Sequence, residues 1–354
     1  MNSHITFKQA RAMLETTGLD YEILPLADGW KALVTRYGGR LLGPFSEEGA
    51  ESVLWITPAM RDAQSFRTFV ESRAVHLGGE RFWVNPELRF HCKAPELFDE
   101  TYTVQEAIDP GHYTLEKKGD QVFLHLDCCL TDLNDGTARK RLSVTRRYAP
   151  APSPLLYHPA LKELAVEYCG YVQDIDLSDE SPEIPMYLEP WVLTQVNPPG
   201  RFITPFLGEF DFVDYYDPVG DLQKVGKNFA ELTVTGNRKY KVAYRSLNTF
   251  GRMAFLKPWG EGWHLMVRNY YNDPSIPYCA EPWGDLGNRG CSTYYYNDDL
   301  SNGGFAEFEH SGATIGLDTG RSRSHSTTSL WFFFGAQGEI NKLMKHLLGV
   351  DYAF

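Results

Sequence analysis

The chain has 354 residues, 43% hydrophobic, 14% aromatic and 23% charged, a balance that allows a large folded core and excludes a disordered chain. Its formal charge is −12 and its longest basic run is Arg139, Lys140 and Arg141, so its field repels phosphate backbones and acidic membrane surfaces; neither nucleic acid nor a membrane is an expected partner. The N-terminal MNSHITFKQARAML has no secretory pattern, and the most apolar window, Ser329 to Ala336, is far short of the roughly 18 residues that span a bilayer, so a cytoplasmic location is expected.

The first predicted element is a helix over Phe7 to Thr16, with Ala10, Met13 and Leu14 on one face. Tyr21 to Leu26 and Trp30 to Arg36 then read as strands joined through Ala27, Asp28 and Gly29, because Asp-Gly supplies the positive φ angles of a tight hairpin. Gln121 to Thr131 faces Arg139 to Tyr148 across Asn134, Asp135 and Gly136 in the same way. There Val122, Leu124, Leu126 and Cys128 alternate with Gln121, Phe123, His125 and Asp127, one buried and one mixed face. The proline-rich Ala149 to Pro159 is the expected crossing between two halves of the chain. Strands follow at Lys239 to Tyr244, Trp263 to Tyr271, Phe305 to His310 and Thr327 to Phe334, and a last helix at Ile340 to Leu348. With only two helices, both terminal, and no βαβ rhythm or flexible linker, the expected fold class is all-β: one antiparallel domain over residues 1–354.

Six cysteines, at 92, 128, 129, 169, 279 and 291, lack the spacing of a disulfide or zinc framework and are expected as free thiols. The phosphate-loop, dinucleotide, nucleophile-elbow and zinc-helix motifs are absent, and Asp318, Thr319 and Gly320 spell a turn. No cofactor and no metal is expected.

Three constellations carry chemistry. HLGGERFWVNPE, from His76, sets two glycines before Arg81 and Trp83, a cation and an aromatic suited to the hydroxyls and apolar face of a polyhydroxylated ring; a Gly-Gly turn into a core strand would read the same. In GGFAEFEHSG, Glu307 and Glu309 project from one face roughly 7 Å apart, as paired carboxylates for proton transfer or sugar binding, or as a solvated face. From Trp263 to Tyr271, His264, Met266, Arg268 and Tyr270 share a face, and EPWG and TYYYND, the latter containing Asn297, add the amphipathic mixture of a small-ligand cleft.

Together these segments resemble the galactose mutarotase-like superfamily. The likeness rests on YGGRLLGPF from Tyr37, HLGGERFW from His76, EPWVLTQVNPPG from Glu189, GGFAEFEHSG from Gly303 and TTSLWFFFG from Thr327, covering about Tyr21 to Gly335. It implies a large β supersandwich. It further implies Glu309, with Glu307 as second choice, as the base at an anomeric hydroxyl, and His76 as a histidine at the substrate. Where such proteins carry a mid-chain acid histidine, this chain has Trp191, Val192, Leu193, Thr194 and Gln195. Two functions follow as expectations: an aldose 1-epimerase-like enzyme on a small carbohydrate, or a sugar-binding module without the chemistry. Arg81, Trp83, Trp191, Gln195, His264, Arg268, Asn297 and Glu307 are the expected ligand contacts, with Glu309 and His76 as the catalytic pair.

Overall fold

The computed structural model describes residues 4–354. Its strands, in chain order, are β1 (Tyr21–Pro25), β2 (Lys31–Thr35), β3 (Arg40–Phe45), β4 (Glu80–Asn85), β5 (Thr114–Lys118), β6 (Gln121–Thr131), β7 (Arg139–Pro150), β8 (Val166–Asp179), β9 (Glu189–Val196) and β10 (Gly200–Pro205). They continue with β11 (Phe212–Asp214), β12 (Gln223–Val225), β13 (Phe229–Val234), β14 (Tyr240–Arg245), β15 (Arg252–Trp259), β16 (Gly262–Asn269), β17 (Cys291–Asn297), β18 (Ala306–Ser311) and β19 (Arg323–Gly335). The helices are α1 (Phe7–Thr17), α2 (Ala63–Glu71), α3 (Glu87–Phe90), α4 (Phe98–Thr101) and α5 (Gln337–Leu343), the last running on into a wider turn over Met344–Leu348.

Two antiparallel sheets form. One has nine strands in the order β1-β2-β3-β4-β9-β18-β17-β14-β11, the other ten in the order β12-β13-β10-β15-β16-β19-β8-β7-β6-β5. The hairpins fall where the turn chemistry puts them. Asp28 at φ 53° and Gly29 at φ 82° turn β1 into β2, which pair from Tyr21 with Thr35 to Pro25 with Lys31.

Alternation along each strand divides the side chains. From the nine-stranded sheet Phe82, Val84, Val192, Val242, Tyr295 and Phe308 point inward, where they meet Leu124, Val144, Tyr171, Phe202, Met266 and Phe332 of the other sheet in one buried cluster. Phe202 and Tyr295 stack across it with ring centroids 4.6 Å apart. Inside this apolar layer lies an ion pair between the sheets: Arg268 of β16 meets Glu80 of β4, which also accepts from Tyr171 Oη at 2.8 Å.

The remaining faces are covered locally. α5 and the segment 151–165 pack on the outside of the ten-stranded sheet through Ile340, Leu343, Leu155 and Leu161. α1, begun by a capping box between Thr6 and Gln9, packs with α2 on β2 and β3 through Phe7, Leu14, Phe66, Leu33 and Phe45. The two terminal helices match expectation. α2, α3 and α4 do not, since only terminal helices were predicted; α2 has a single apolar turn, Phe66, Phe69 and Val70, docked at the sheet margin. The proline-rich segment also corrects the prediction. It joins β7 to its immediate neighbour β8, which pair up to Pro150 and Tyr171, and so does not cross between halves. All six cysteines are free thiols.

Candidate active site

The outer face of the nine-stranded sheet is where the side chains excluded from the sandwich interior gather. β4 enters through Gly78 and Gly79, at φ 113° and 69°. A Cβ on Gly79 would stand 1.9 Å from the Leu41 carbonyl oxygen and one on Gly78 2.4 Å from that of Trp55, so no other residue lets the backbone pass. Gly79 N donates to Trp55 O at 2.8 Å, and Gln195 N donates to Gly79 O at 2.9 Å. β4 is thereby seated beside β9, with Arg81 opposite Leu193 and Trp83 opposite Trp191. β18 follows on the other side of β9, placing Glu309 opposite Leu193 and Glu307 opposite Gln195. With β17 and β14 the row of outward positions continues through Tyr296 to Lys241.

These residues line a pocket of about 250 Å³, walled by His76, Arg81, Trp83, Glu87, Trp191, Lys241, Tyr296, Glu307 and Glu309, with Phe98, Asp99, Tyr102, Tyr216 and Lys239 toward its mouth. Three cations and four carboxylates face it, and each cation has its own acid. Arg81 Nη2 lies 2.9 Å from Glu307, Lys241 Nζ 2.8 Å from Glu87, and Lys239 Nζ 2.8 Å from Asp99. Glu309 is the carboxyl left over. Its nearest cation is Lys241 at 4.0 Å, and Trp191 Nε1 donates to its Oε2 at 2.9 Å.

The electrostatics follow from that count. Burial, reinforced by the charges of Glu307 and Glu87 and opposed by Lys241 and Arg81, raises the Glu309 carboxyl to about 8, so it holds its proton at neutral pH. Burial raises Glu307 too, against the pull of Arg81 and Lys241. At Glu87, burial is outweighed by Lys241, and the carboxyl falls below its ordinary value. Lys241 rises because Glu87 and Glu309 outweigh its burial. His76 is driven well below the usual histidine range by burial and by Arg81 and Arg40, so its imidazole is neutral.

Aromatic faces complete the lining. The Arg81 guanidinium lies 3.8 Å from the Trp83 ring centroid and the Lys241 ammonium 4.7 Å from that of Trp191, while the two indoles meet edge to face at 5.6 Å. Trp83 is fixed from behind, its Nε1 donating to Asp109 at 2.9 Å and Asp109 pairing with Arg40 at 2.6 Å. Arg81 Nε and Nη1 and His76 Nδ1 are buried and have no hydrogen-bond partner among the described residues. Such groups are costly unless something polar meets them. Among the described residues no three His, Cys, Asp or Glu side chains are grouped to hold a metal ion.

Of the expected site residues, His76, Arg81, Trp83, Trp191, Glu307 and Glu309 converge here. Gln195 is buried beside Glu307, outside the lining. Three others lie elsewhere. His264 is on β16 in the second sheet, stacked at 4.6 Å on Phe334, with burial pushing its imidazole down to about 3. Arg268, on the same face, is the interior partner of Glu80. Asn297 accepts from Gly236 N at 3.0 Å and donates to Arg238 O at 2.7 Å, holding a turn. The shared face of β16 is real, but it is the sandwich interior. The prediction missed Lys241, Tyr102 and Tyr216. For Lys241 a signal existed: in Lys239 to Tyr244 the lysines alternate with Tyr240, Val242 and Tyr244, which marks cations on the non-core face.

Fold and site together define an antiparallel β-sandwich protein with an acid–base pocket on the outer face of one sheet. Among solved structures it is similar to a galactose mutarotase related enzyme from Lactobacillus acidophilus, with a TM-score of 0.49 and 7% identity over 90% of this chain and 98% of that one. A protein assigned as a candidate mutarotase from Salmonella typhimurium gives 0.46 and 12% over 88% and 90%, and a galactose mutarotase-like protein from Clostridium acetobutylicum 0.40 and 12% over 90% and 98%. No protein-family model matches the chain, and no curated protein does.

Proposed function

We propose that the pocket binds a small neutral sugar and exchanges protons at its anomeric centre, as an aldose 1-epimerase does. The observation that carries this reading is the charge arrangement: three cation–carboxylate pairs plus one protonated carboxyl give a lining with no net charge to spend on an ionic ligand. Indole faces suit the C–H side of a pyranose, and the unpartnered Arg81 and His76 nitrogens suit its hydroxyls.

In the chemistry that fits, the Glu309 carboxyl gives its proton to the ring oxygen while a neighbouring base takes the proton of the anomeric hydroxyl. The C1–O5 bond breaks and an open-chain aldehyde forms; rotation about C1–C2 and the reverse transfers close the other anomer. Glu307, whose carboxyl is paired with Arg81, or neutral His76 serves as the base. Glu309 thus enters as the acid, the opposite of the role expected from the sequence, because burial keeps it protonated.

The test is the rate of anomer interconversion, by polarimetry or NMR on freshly dissolved α-anomers. Glu309→Gln and Glu307→Gln are each expected to lower it by about 10²- to 10⁴-fold. A Glu309→Gln rate equal to the parent's removes Glu309 from the reaction. A non-catalytic sugar-binding module is the second reading. It is favoured by β9, which offers Trp191 and Leu193 to the pocket and no imidazole beside Glu309, and a parent rate equal to that of buffer together with measurable sugar binding would establish it.

A further inference from the structure

The pocket continues past its mouth. A second, more open cavity of about 420 Å³ shares Asp99, Tyr216 and Lys239 with it and extends over Trp283 and Asp217. An unbroken aromatic wall links the two: the Phe98 ring lies 5.0 Å from Tyr102 inside the pocket, 6.1 Å from Tyr216 at the boundary, and 6.1 Å from Trp283 outside, nearly parallel to it at 15°. Trp283 is half-buried, and its Nε1 has no hydrogen-bond partner among the described residues. Lys239 is held at the junction by Asp99 at 2.8 Å, with its ammonium 4.8 Å from the Tyr216 ring centroid. The outer cavity is acidic, since Asp99, Asp214, Asp217 and Asp285 face Lys239 alone.

We propose, resting on the sugar-binding reading above, that the ligand is a neutral disaccharide or longer glycan with a free reducing end. Its reducing-end ring fills the inner pocket against Trp191 and Glu309, and its next ring lies on the Tyr216–Trp283 shelf. Aromatic side chains contribute most where they cover an apolar ring face, and Trp283 with Tyr216, both half-buried, line the outer cavity in continuity with the inner pocket. The aspartates accept from hydroxyls and turn away phosphorylated or sulfated rings.

The experiment is titration calorimetry on the full chain, pairing glucose with maltose, cellobiose and lactose, and galactose with galactobiose. At least one disaccharide is expected to bind about tenfold tighter than its reducing-end monosaccharide, the gain one good aromatic contact supplies. Trp283→Ala is expected to remove that gain while moving monosaccharide affinity far less, and Trp283→Phe to keep most of it. Monosaccharide binding by the variant also reports that it is folded. If the monosaccharide binds and none of its disaccharides binds tighter, or if Trp283→Ala weakens both alike, the shelf is no subsite and the sugar reading of the inner pocket stands without it. If none of the sugars binds the parent, the sugar reading itself falls and takes the shelf with it.

Discussion

Glu309 sits among three paired acids with no cation of its own, and that asymmetry has a consequence for stability as well as for chemistry. Its carboxyl titrates at about 8 in the folded chain against an ordinary 4.5. Between those values the unfolded chain has released the proton and the folded chain still binds it, so stability falls as pH rises through the interval and is flat on either side. The full effect is on the order of 5 kcal/mol. Glu309→Gln keeps an oxygen to accept from Trp191 Nε1 and cannot ionise, so it is expected to gain stability over the parent above pH 8 and little at pH 4.5. Melting temperatures of both proteins at the two pH values check this; a constant difference would show that the carboxyl is ionised throughout. Glu189 adds to the same slope. It is buried under Asn85, Ser311 and Thr314 and raised to about 7 by burial against those hydrogen bonds.

At the scale of the element, the β4 entry decides whether the site exists. Gly79→Ala would drive a methyl group into the Leu41 carbonyl at a left-handed φ, and the strand carrying Arg81 and Trp83 would have to move. A loss above about 3 kcal/mol is expected. Gly119→Ala, also at positive φ but with open space around it, is expected to cost only about 1 kcal/mol. Denaturant titration of the two variants separates steric exclusion from backbone preference, and equal losses would refute it. This element was also the most legible: two glycines before Arg81 and Trp83 signal close backbone approach, and Glu307 and Glu309 on a period of two signal a shared face. The sequence does not state which face is inside. His264 and Arg268 have the same periodicity as Glu307 and Glu309, and only the pairing of β16 with β15 and β19 turns their face toward the core. Ala149 to Pro159 misleads for a related reason. Proline reports that a strand stops, and the side on which the next strand returns is set by the registry of distant pairs.

Across the whole molecule the sheets are joined by more than apolar contact. Arg268 and Glu80 are both fully buried, and each hydrogen-bonds further within the interior, Arg268 to Thr194 at 2.7 Å and Glu80 to Tyr171 at 2.8 Å. Arg268→Met leaves Glu80 charged and unpaired between the sheets, and a loss of about 3–5 kcal/mol is expected. In Arg268→Met with Glu80→Gln no charge is stranded, so much of the loss should return; denaturant titrations of the parent and both variants read this, and a double variant no more stable than the single one would contradict it. The margins of the two sheets carry a different consequence. The nine-stranded sheet ends at β11 and the ten-stranded sheet at β12, each only three residues long, and the opposite margin of the larger sheet, β5, reads TLEKK with Glu116, Lys117 and Lys118 exposed. A free ladder of three residues gives an approaching strand little to hold, and a charged one repels it. At these three margins the sheets therefore offer an approaching chain little to pair with, which limits edge-to-edge association between copies.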